Sequence, residues 1–267
     1  MKCLPSGLAG RMRAWNLRRI VANYTERIVE HRYGSGVLKV ALADPMASGW
    51  YDCDWDDLPE IALLRSHSLK PGGVVFDLGA HYGVVAMMLA REVAPGGKVI
   101  ALEASPHNAD AIRRNRNLNG FTQIEVVQAA VSDQPGTLVF NEGLNGQIDD
   151  GSGAWGRFEV KATTIDALAE QHDDPDLVFL DVEGAECLAL AGATRTLTTS
   201  ADWFVEVHTQ HGLEKLGGKV NDVLAHFPQD RYELFIRAEE DQAFRSYNAN
   251  DPCLQARFFL VAICRSA

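Results

Sequence analysis

The sequence predicts an α/β fold: a doubly wound, mostly parallel sheet of about seven strands, with an antiparallel C-terminal hairpin and an N-terminal helical cap. From residue 72 onward, short apolar runs alternate with helical patterns, which is typical of successive strand–helix–strand units. The runs are rich in Val, Ile, Leu and Phe, as expected for strands that helices cover on both faces.

We predict that residues 1–70 form the cap or lid and that residues 71–267 form the main domain. The first part has a helical pattern, with one strand near Val37 to Leu42 and a helix over Leu58 to Leu69. A chain of 267 residues is an ordinary length for one α/β domain with a short extension. The N-terminal part is therefore expected to cover the main domain and not to form a second one.

Five apolar runs are expected to form the centre of the sheet: Val74 to Leu78, Lys98 to Leu102, Ile124 to Ala129, Leu177 to Asp181 and Trp203 to Val207. Helices are predicted between them. The clearest has Ser105 as its N-terminal cap, Pro106 in its first turn and Gly120 after its last turn. Another follows the helical spacing of apolar residues from Val220 to Phe227.

The C-terminal runs, Tyr232 to Ile236 and Arg257 to Cys264, are separated by a connection without a convincing helical pattern. They are therefore expected to pair in antiparallel fashion at one edge. Two short strands, Thr137 to Phe140 and Phe158 to Ala162, bracket the loop from Asn141 to Gly156, which holds five glycines. A long loop without periodicity is a candidate substrate lid.

The charge of the chain argues against a nucleic-acid partner. It carries 36 acidic and 25 basic residues, a net charge of −11, whereas phosphate binding depends on clustered Lys and Arg. Residues 1–32 are an exception, with seven basic and two acidic residues. This basic arm is either a solvated helix or an interaction surface, and it is compatible with a homodimer.

The cysteines and the hydropathy indicate in which cellular compartment the protein is expected. Five widely spaced cysteines without a CxxC pair indicate neither a disulfide framework nor a zinc site. No apolar run reaches the ~18 residues of a membrane-spanning helix, and no secretory signal is evident. We therefore expect a soluble, cytoplasmic protein without a membrane partner.

The stretch from Asp77 to Gly83 has the pattern of a nucleotide-binding loop. An acid ends an apolar strand, and Gly79 and Gly83 allow a sharp turn that exposes backbone N–H groups to a ligand. His81 stands where a dinucleotide loop carries its second glycine, which weakens a pyrophosphate interpretation. The candidate cofactor-binding residues of the loop are Asp77, Gly79, Ala80, His81, Tyr82 and Gly83.

S-adenosylmethionine is a ligand without phosphates that suits this loop. Its amino-acid end requires a carboxylate and backbone groups, and its ribose diol requires an acid at the end of the neighbouring strand. Glu103 stands there, followed by Ala104, and can accept both ribose hydroxyls. Ala130 occupies the place where an acid often binds adenine, so adenine recognition passes to backbone groups or to Ser132 and Asp133.

Further motifs support this interpretation: Glu103 to Pro106, Asn115 to Asn119, Thr164 to Asp166 and Asp181 to Glu186. Together with the loop from Phe76 to Gly83, they resemble the FkbM family of methyltransferases over roughly residues 72–208. The resemblance implies a class I, Rossmann-like methyltransferase sheet. It also implies methyl transfer to an oxygen of a sugar or other small metabolite.

The resemblance extends to individual residues. Asp77, Gly79, Gly83 and Glu103 match the cofactor motif of the family. The second signature of the family is matched by Asp181, Glu183 and Gly184. His81 departs from the pattern, because the family often has Asn there, and the N-terminal region and the final hairpin carry no motif to align.

Asp181 and His208 are the candidate catalytic residues. Asp181 ends a strand, and in an open α/β sheet reactive groups gather beyond the carboxyl ends of the strands. Glu206 and His208 lie on one face at the end of the next strand. An ordinary pKa near ~6.5 suits His208 as the base that removes the acceptor proton.

A metal site competes with direct base catalysis. Asp181 and Glu206, with His208 beside them, could bind a hard cation such as Mg²⁺ that orients and acidifies the acceptor hydroxyl. The leading hypothesis is an O-methyltransferase acting on a hydroxyl of a small molecule, such as a carbohydrate or natural product. RNA methylation and a catalytically silent S-adenosylmethionine-binding module are the alternatives.

Overall fold

The computed structural model describes residues 6–149 and 156–265, without the side chains of residues 6–9. Residues 150–155 of the predicted lid lie outside the described residues. The helices are α1 (Ser6–Ala22), α2 (Pro45–Tyr51), α3 (Pro59–Leu64), α4 (Val84–Glu92), α5 (Pro106–Asn119), α6 (Ile165–His172), α7 (Glu186–Ala191) and α8 (Val220–Ala225). Among the described residues, no helix is both long enough and apolar enough to span a bilayer.

The strands are β1 (Arg27–Tyr33), β2 (Gly36–Leu42), β3 (Val74–Leu78), β4 (Lys98–Glu103), β5 (Ile124–Gln128), β6 (Ala130–Val131), β7 (Gly136–Asn141), β8 (Arg157–Thr163), β9 (Leu177–Leu180), β10 (Asp202–Val207), β11 (Tyr232–Ala238), β12 (Arg245–Ser246) and β13 (Phe258–Cys264). Each strand predicted from residue 72 onward is present, with bounds that differ by at most two residues.

The central sheet has the predicted doubly wound architecture. Its order within the described residues is β12-β11-β13-β10-β9-β3-β4-β5. The strands from β10 to β5 in this order are parallel, whereas β13 pairs in antiparallel fashion with both β10 and β11. The predicted C-terminal hairpin is therefore confirmed, and the two-residue β12 is the strand beyond the expected seven.

Alternate residues of the central strands lie in two separate apolar clusters. Val75 packs with α3, α4 and α5 on one face, whereas Phe76 packs with α6, α7 and α8 on the other. In β10, likewise, Phe204 lies in the cluster of Val75, whereas Trp203 lies in the cluster of Phe76. Helices on both faces explain why these strands are apolar throughout.

The N-terminal part is not wholly helical, and the prediction for Arg27–Tyr33 is wrong. This segment is β1, which pairs with β2 in antiparallel register from Arg27↔Leu42 to Tyr33↔Gly36. Gly34 has a φ of 58°, the left-handed conformation that a two-residue hairpin turn requires. The glycines that flank Ser35 were the signal for this turn.

Asparagines of α5 attach the hairpin to the main domain. The buried Asn115 accepts a hydrogen bond from the Ala41 N–H (2.7 Å) and donates to the Tyr82 carbonyl (2.9 Å). One turn later, Asn119 bonds the backbone of Lys39 in both directions. The helix itself is capped as predicted, because Ser105 accepts from the Asn108 N–H and Gly120 adopts a left-handed conformation.

We expect Asn115→Ala to lower the free energy of unfolding by about 1–3 kcal/mol for each buried backbone group that it leaves unpaired. Urea unfolding followed by circular dichroism measures this loss. Asn117→Ala is the matched control, since Asn117 lies exposed on the same helix. Equal stability of the two variants would contradict the anchoring role of Asn115.

Candidate functional site

A cavity of about 560 Å³ opens at the carboxyl ends of β3, β4, β9 and β10. Its walls come from the loop after β3, from the N-terminal aromatic turn and from the described part of the predicted lid. The predicted site residues that line it are Asp77, Gly79, Ala80, His81, Glu103, Ala104, Ala130, Asp181 and Glu206. The structure thus brings most of the predicted residues to one place.

The loop after β3 is shaped by glycine. Gly79 has a φ of 94°, and a Cβ at this position would lie 1.7 Å from the Asp181 carbonyl oxygen. Gly83 has a φ of 73°, and a Cβ there would lie 2.8 Å from Ile112. No larger residue fits at Gly79, so glycine is required for the loop to pack directly against the backbone at Asp181.

His81 is a non-glycine residue in the left-handed region, with a φ of 49°. Its Nδ1 lies 2.7 Å from the Tyr51 hydroxyl, and its ring packs against Trp50 with ring centres 5.0 Å apart. Burial lowers the pKa of His81 to about 4, so the imidazole is neutral at physiological pH. Such local strain persists where the surrounding structure supports it, most often at functional sites.

Glu103 and Asp77 are two buried carboxylates on adjacent strand ends. The Oε2 and Oε1 atoms of Glu103 accept hydrogen bonds from the N–H groups of His81 (2.9 Å) and Ser105 (2.8 Å). The Oδ2 atom of Asp77 is buried without a hydrogen-bond partner among the described residues. Burial raises the pKa of Glu103 to about 7, and burial together with the charge of Glu103 raises that of Asp77 to about 7.

Tyr82 and Gly83 are not among the residues that line the described cavity. The Tyr82 hydroxyl points away and donates to the buried Asp44 Oδ2 (2.5 Å), which also lies 3.0 Å from His107 Nε2. Burial acts to raise the pKa of Asp44, but hydrogen bonds from His107, Tyr82 and the Ala47 N–H lower it to about 2. The Tyr82 side chain therefore attaches the loop to Asp44 of the N-terminal part and does not face the cavity.

The far end of the cavity is apolar. It is lined by Ala104, Ala129, Ala130, Val131, Phe140 and Ile148. Ser132 and Asp133, the predicted alternative contacts to adenine, lie outside the lining, and the Ser132 hydroxyl donates to the Asp133 carboxylate (3.0 Å). A flat, apolar slot of this kind suits an aromatic ring.

The described part of the predicted lid, residues 141–149, closes over the cavity. The side chains of Asn145 and Gln147 donate to the two carboxylate oxygens of Glu183, at 2.5 and 3.2 Å. At the base of this segment, Glu142 accepts a hydrogen bond from Arg18 Nε of α1 (2.8 Å). The basic N-terminal helix therefore contacts the lid, as a cap would.

At the opposite end of the cavity, carboxylates surround one imidazole. His208 is 1% exposed, and its Nε2 lies 3.6 Å from Asp181, 3.5 Å from Glu206 and 3.7 Å from Glu183. Its Nδ1 lies 2.6 Å from the buried Glu186. Asp181, Glu206 and His208 have ligand atoms within 4.8 Å of one another, so they could hold a metal ion.

The expectation of an ordinary pKa for His208 is corrected by its surroundings. Burial alone lowers this pKa, but the hydrogen bond to Glu186 and the charges of Asp181, Glu186 and Glu183 raise it to about 9. The pKa of Asp181 is raised well above its usual range by burial and by the charge of Glu206. His208 does not line the described cavity, whereas the Asp181 side chain is 40% exposed, toward that cavity.

Sequence reasoning missed Glu186 as the partner of His208, Arg257 beside Glu206 at 3.3 Å, and Asn145 as a lid contact. Glu186 was visible in the second motif, where it follows Glu183 by three residues. Glu183 has a φ of 52°, so the chain turns sharply there before α7 begins. Arg257 and Asn145 carried no recognisable signal, since they lie in a connection and in a loop.

Comparison with known proteins finds similarity to methyltransferases. The family model described as the methyltransferase FkbM domain matches residues 77–244, more than half of the chain. The 2-O-methyltransferase NoeI of Sinorhizobium fredii is 26% identical over 163 residues, which are 53% of this chain and 65% of that protein. The protein-L-isoaspartate O-methyltransferase of Aeropyrum pernix is 37% identical over 71 residues, 27% of this chain and 26% of that protein.

Among solved structures, the methyltransferase FkbM of Methylobacillus flagellatus is similar with a TM-score of 0.48 and 18% identity. The match covers 72% of this chain and 43% of that chain. The alignments span less than two thirds of the length of these curated relatives, at 65% and 26%.

The buried carboxylate of Asp77 makes stability depend on pH. Its pKa is about 7 in the folded chain against an ordinary 3.8, so the folded state binds this proton more tightly and stability falls as pH rises between these values. We expect Asp77→Asn to raise the melting temperature at about pH 8 by a few degrees, where ~1 kcal/mol corresponds to ~2–4 °C.

The difference should narrow near pH 5.5, because the wild-type carboxyl is then protonated as well. Differential scanning calorimetry at both pH values measures it. Asp222→Asn, on an exposed helix position, is the control and should change little. A lower melting temperature for Asp77→Asn than for wild type at about pH 8 would show that the buried charge of Asp77 does not destabilise the folded state.

Proposed function

The chain belongs to the methyltransferase FkbM domain family, and from this premise we propose that it methylates a hydroxyl oxygen of a small molecule, such as a carbohydrate or natural product. The observation that carries the proposal is the position of Asp181. It contacts the loop after β3 at Gly79, and it lines the same cavity as the polar residues Glu183 and Glu206, where we expect the acceptor to bind. The name of NoeI, a 2-O-methyltransferase, supports transfer to oxygen.

The cofactor half of the cavity fits S-adenosylmethionine. The free Oδ2 of Asp77 can accept from the ammonium group of the amino-acid end, beside the backbone turn at Gly79. Glu103 is held in place by the N–H groups of His81 and Ser105 and lines the cavity, where its carboxylate can accept from the ribose hydroxyls. The apolar slot around Ala130 accommodates the adenine ring.

When bound, S-adenosylmethionine supplies an electrophilic methyl group on its sulfonium. The residues of this chain then hold the acceptor oxygen in line and take its proton. Asp181 is the catalytic residue that can reach the hydroxyl, because it faces the cavity next to the loop. His208 is a positioning residue, since its Nε2 faces the buried Oδ1 of Asp181 from below.

The acceptor end suits a hydroxyl-rich molecule. Glu183, Glu206, Glu239 and Arg257 bring charged groups to the cavity wall, which can pair with several hydroxyls at once. Trp50 is 43% exposed and lines the same cavity, where its ring offers an apolar face. Polar hydrogen-bonding groups beside an aromatic plane are a combination that suits a sugar ring.

The function is tested with S-adenosylmethionine labelled in its methyl group, incubated with the full chain and a panel of methyl glycosides, phenols and a short RNA. We expect label in an alkali-stable ether of a glycoside or phenol. Label in RNA alone would favour the alternative nucleic-acid substrate. Binding of S-adenosylhomocysteine without label transfer to any acceptor would favour a silent cofactor-binding module.

Glu103→Ala should weaken S-adenosylhomocysteine binding, measured by isothermal titration, because the carboxylate is expected to hold two hydroxyls. The loss should be roughly ~10–100-fold, since each hydrogen bond to a charged group contributes about 1.5–3 kcal/mol. Glu125→Ala is the control, with an exposed acid on the neighbouring strand β5. Unchanged binding by Glu103→Ala would overturn the assignment of the cofactor half.

Asp181→Asn should lower the rate of methyl transfer by about 10²–10⁴-fold, the usual contribution of a positioned general base. The amide keeps the size of the side chain, so S-adenosylhomocysteine should still bind within a few-fold of wild type. Single-turnover measurements with labelled cofactor separate the two effects. A fall in cofactor affinity equal to the fall in rate would move Asp181 from the acceptor to the cofactor half.

A further inference from the structure

From the geometry around His208 we infer that Asp181, Glu206 and His208 form a binding site for a divalent transition-metal cation of the Mn²⁺ class. The three residues come from the ends of β9 and β10, which are parallel neighbours. The role of the cation in methyl transfer rests on the proposed function, but the existence of the site does not.

The distances suit a single ion. Nε2 of His208 lies 3.6 Å from Asp181 Oδ1 and 3.5 Å from Glu206 Oε1. Two ligand atoms that each lie about 2.1–2.2 Å from one ion, at angles of ~90–110°, are ~3.0–3.5 Å apart. Nε2 of His208 is thus close to the spacing that one cation requires with each carboxylate, and the ligand atoms of all three residues lie within 4.8 Å of one another.

Two buried atoms point into this space without a hydrogen-bond partner. They are Nε2 of His208, whose residue is 1% exposed, and Oδ1 of Asp181. Buried polar atoms are almost always paired, and each exception calls for a ligand, an ion or a water. Because an imidazole nitrogen and a carboxylate oxygen are left together, one cation that replaces the Nε2 proton would satisfy both atoms.

Glu186 fixes the imidazole in the orientation that metal binding requires. Its Oε1 lies 2.6 Å from His208 Nδ1, so Nδ1 donates to Glu186 and Nε2 is the nitrogen at which a cation can replace a proton. A carboxylate behind a ligating histidine is a recurring arrangement that orients the ring and raises its basicity. Glu186 is itself held, because its Oε1 also accepts from the Gly184 N–H (2.9 Å).

The charges that face the site favour a cation. The acidic groups are Asp181 and Glu183 after β9, Glu186 of α7 and Glu206 of β10, and the basic group beside them is Arg257, 3.3 Å from Glu206. Glu183 is occupied by the lid through Asn145 and Gln147, so it is not counted as a ligand. Among the described residues, the Arg257 guanidinium and the imidazole of His208 offset only part of this negative charge.

The imidazole also selects the kind of metal. Mg²⁺ takes oxygen ligands and retains several waters, whereas Mn²⁺ and its first-row neighbours accept a mixed set of nitrogen and oxygen. We therefore propose a softer cation, such as Mn²⁺, in place of the Mg²⁺ expected from the sequence. Asp181 and Glu206 also line the cavity, so a cation held by these residues would be able to orient and acidify an acceptor hydroxyl there.

The full chain is first treated with a chelator and then titrated with Mn²⁺, without cofactor or acceptor. The electron paramagnetic resonance signal of the free ion measures how much Mn²⁺ remains unbound. We expect saturable binding of one Mn²⁺ per chain and weaker binding of Mg²⁺. His208→Ala and the isosteric Glu206→Gln should weaken Mn²⁺ binding by more than ~10–100-fold, and Glu186→Gln by about that amount.

His31→Ala is the matched control, because His31 also lies close to two carboxylates, 3.0 Å from Asp52 and 3.4 Å from Asp54, but on the surface. Circular dichroism checks that each variant is folded. If His208→Ala does not fold, Glu206→Gln still tests the site. Wild-type affinity for Mn²⁺ no higher than that of Glu206→Gln would overturn the site, and tighter binding of Mg²⁺ than Mn²⁺ would overturn the choice of metal. Since no methyl transfer is measured, failure of the proposed function leaves this result unaffected.

Discussion

The contact between Gly79 and the carbonyl of Asp181 is the constraint on which the arrangement of the site depends. A Cβ at Gly79 would lie 1.7 Å from that oxygen, and the Asp181 N–H donates to the Leu78 carbonyl (2.9 Å). The loop that follows β3 and the chain that leaves β9 are therefore in direct backbone contact. This contact places the loop that is proposed to bind the cofactor directly beside the carboxylate that is proposed to face the acceptor, and only glycine allows so close an approach at position 79.

The same edge of the sheet concentrates negative charge at a cost to stability. Asp77 and Glu103 face the cavity from β3 and β4, and burial raises the pKa of both to about 7. A fold selected for stability alone would not bury two acids whose charged forms are poorly compensated. The cost is consistent with a ligand that brings positive charge and hydroxyl donors to these acids, because ligand binding then offsets it.

The central sheet was predictable because its strands are buried on both faces. The bounds of β3 are those predicted, Val74 to Leu78, since four of its five residues are apolar and a glycine turn at Gly79 follows it directly. By contrast, β1 was missed because most of its exposed residues are charged and only Tyr33 is fully buried, a pattern that resembles a polar helix as closely as an edge strand. The hairpin turn at Gly34 was the better guide.

Within the site, the residues carried by strand ends were predictable, and those brought by packing were not. Asp181 and Glu206 follow from strand periodicity and the rule that ligands bind at the carboxyl ends of strands. The partner of His208 could not be deduced, because Glu186 reaches it only once α7 has packed against β10. The pKa of His208 follows from that contact, so the ordinary value expected from sequence was corrected to about 9.

The environment of His208 limits what this residue can do chemically. Its Nε2 faces Asp181, Glu183 and Glu206, and it does not line the cavity, so an acceptor hydroxyl reaches Asp181 first. A proton and a metal ion would compete for the same lone pair on Nε2. In either case a positive charge lies beneath Asp181, and this charge holds the carboxylate in a fixed orientation toward the cavity. Under the proposed function, the histidine therefore acts through the aspartate, whether its Nε2 holds a proton or a metal ion.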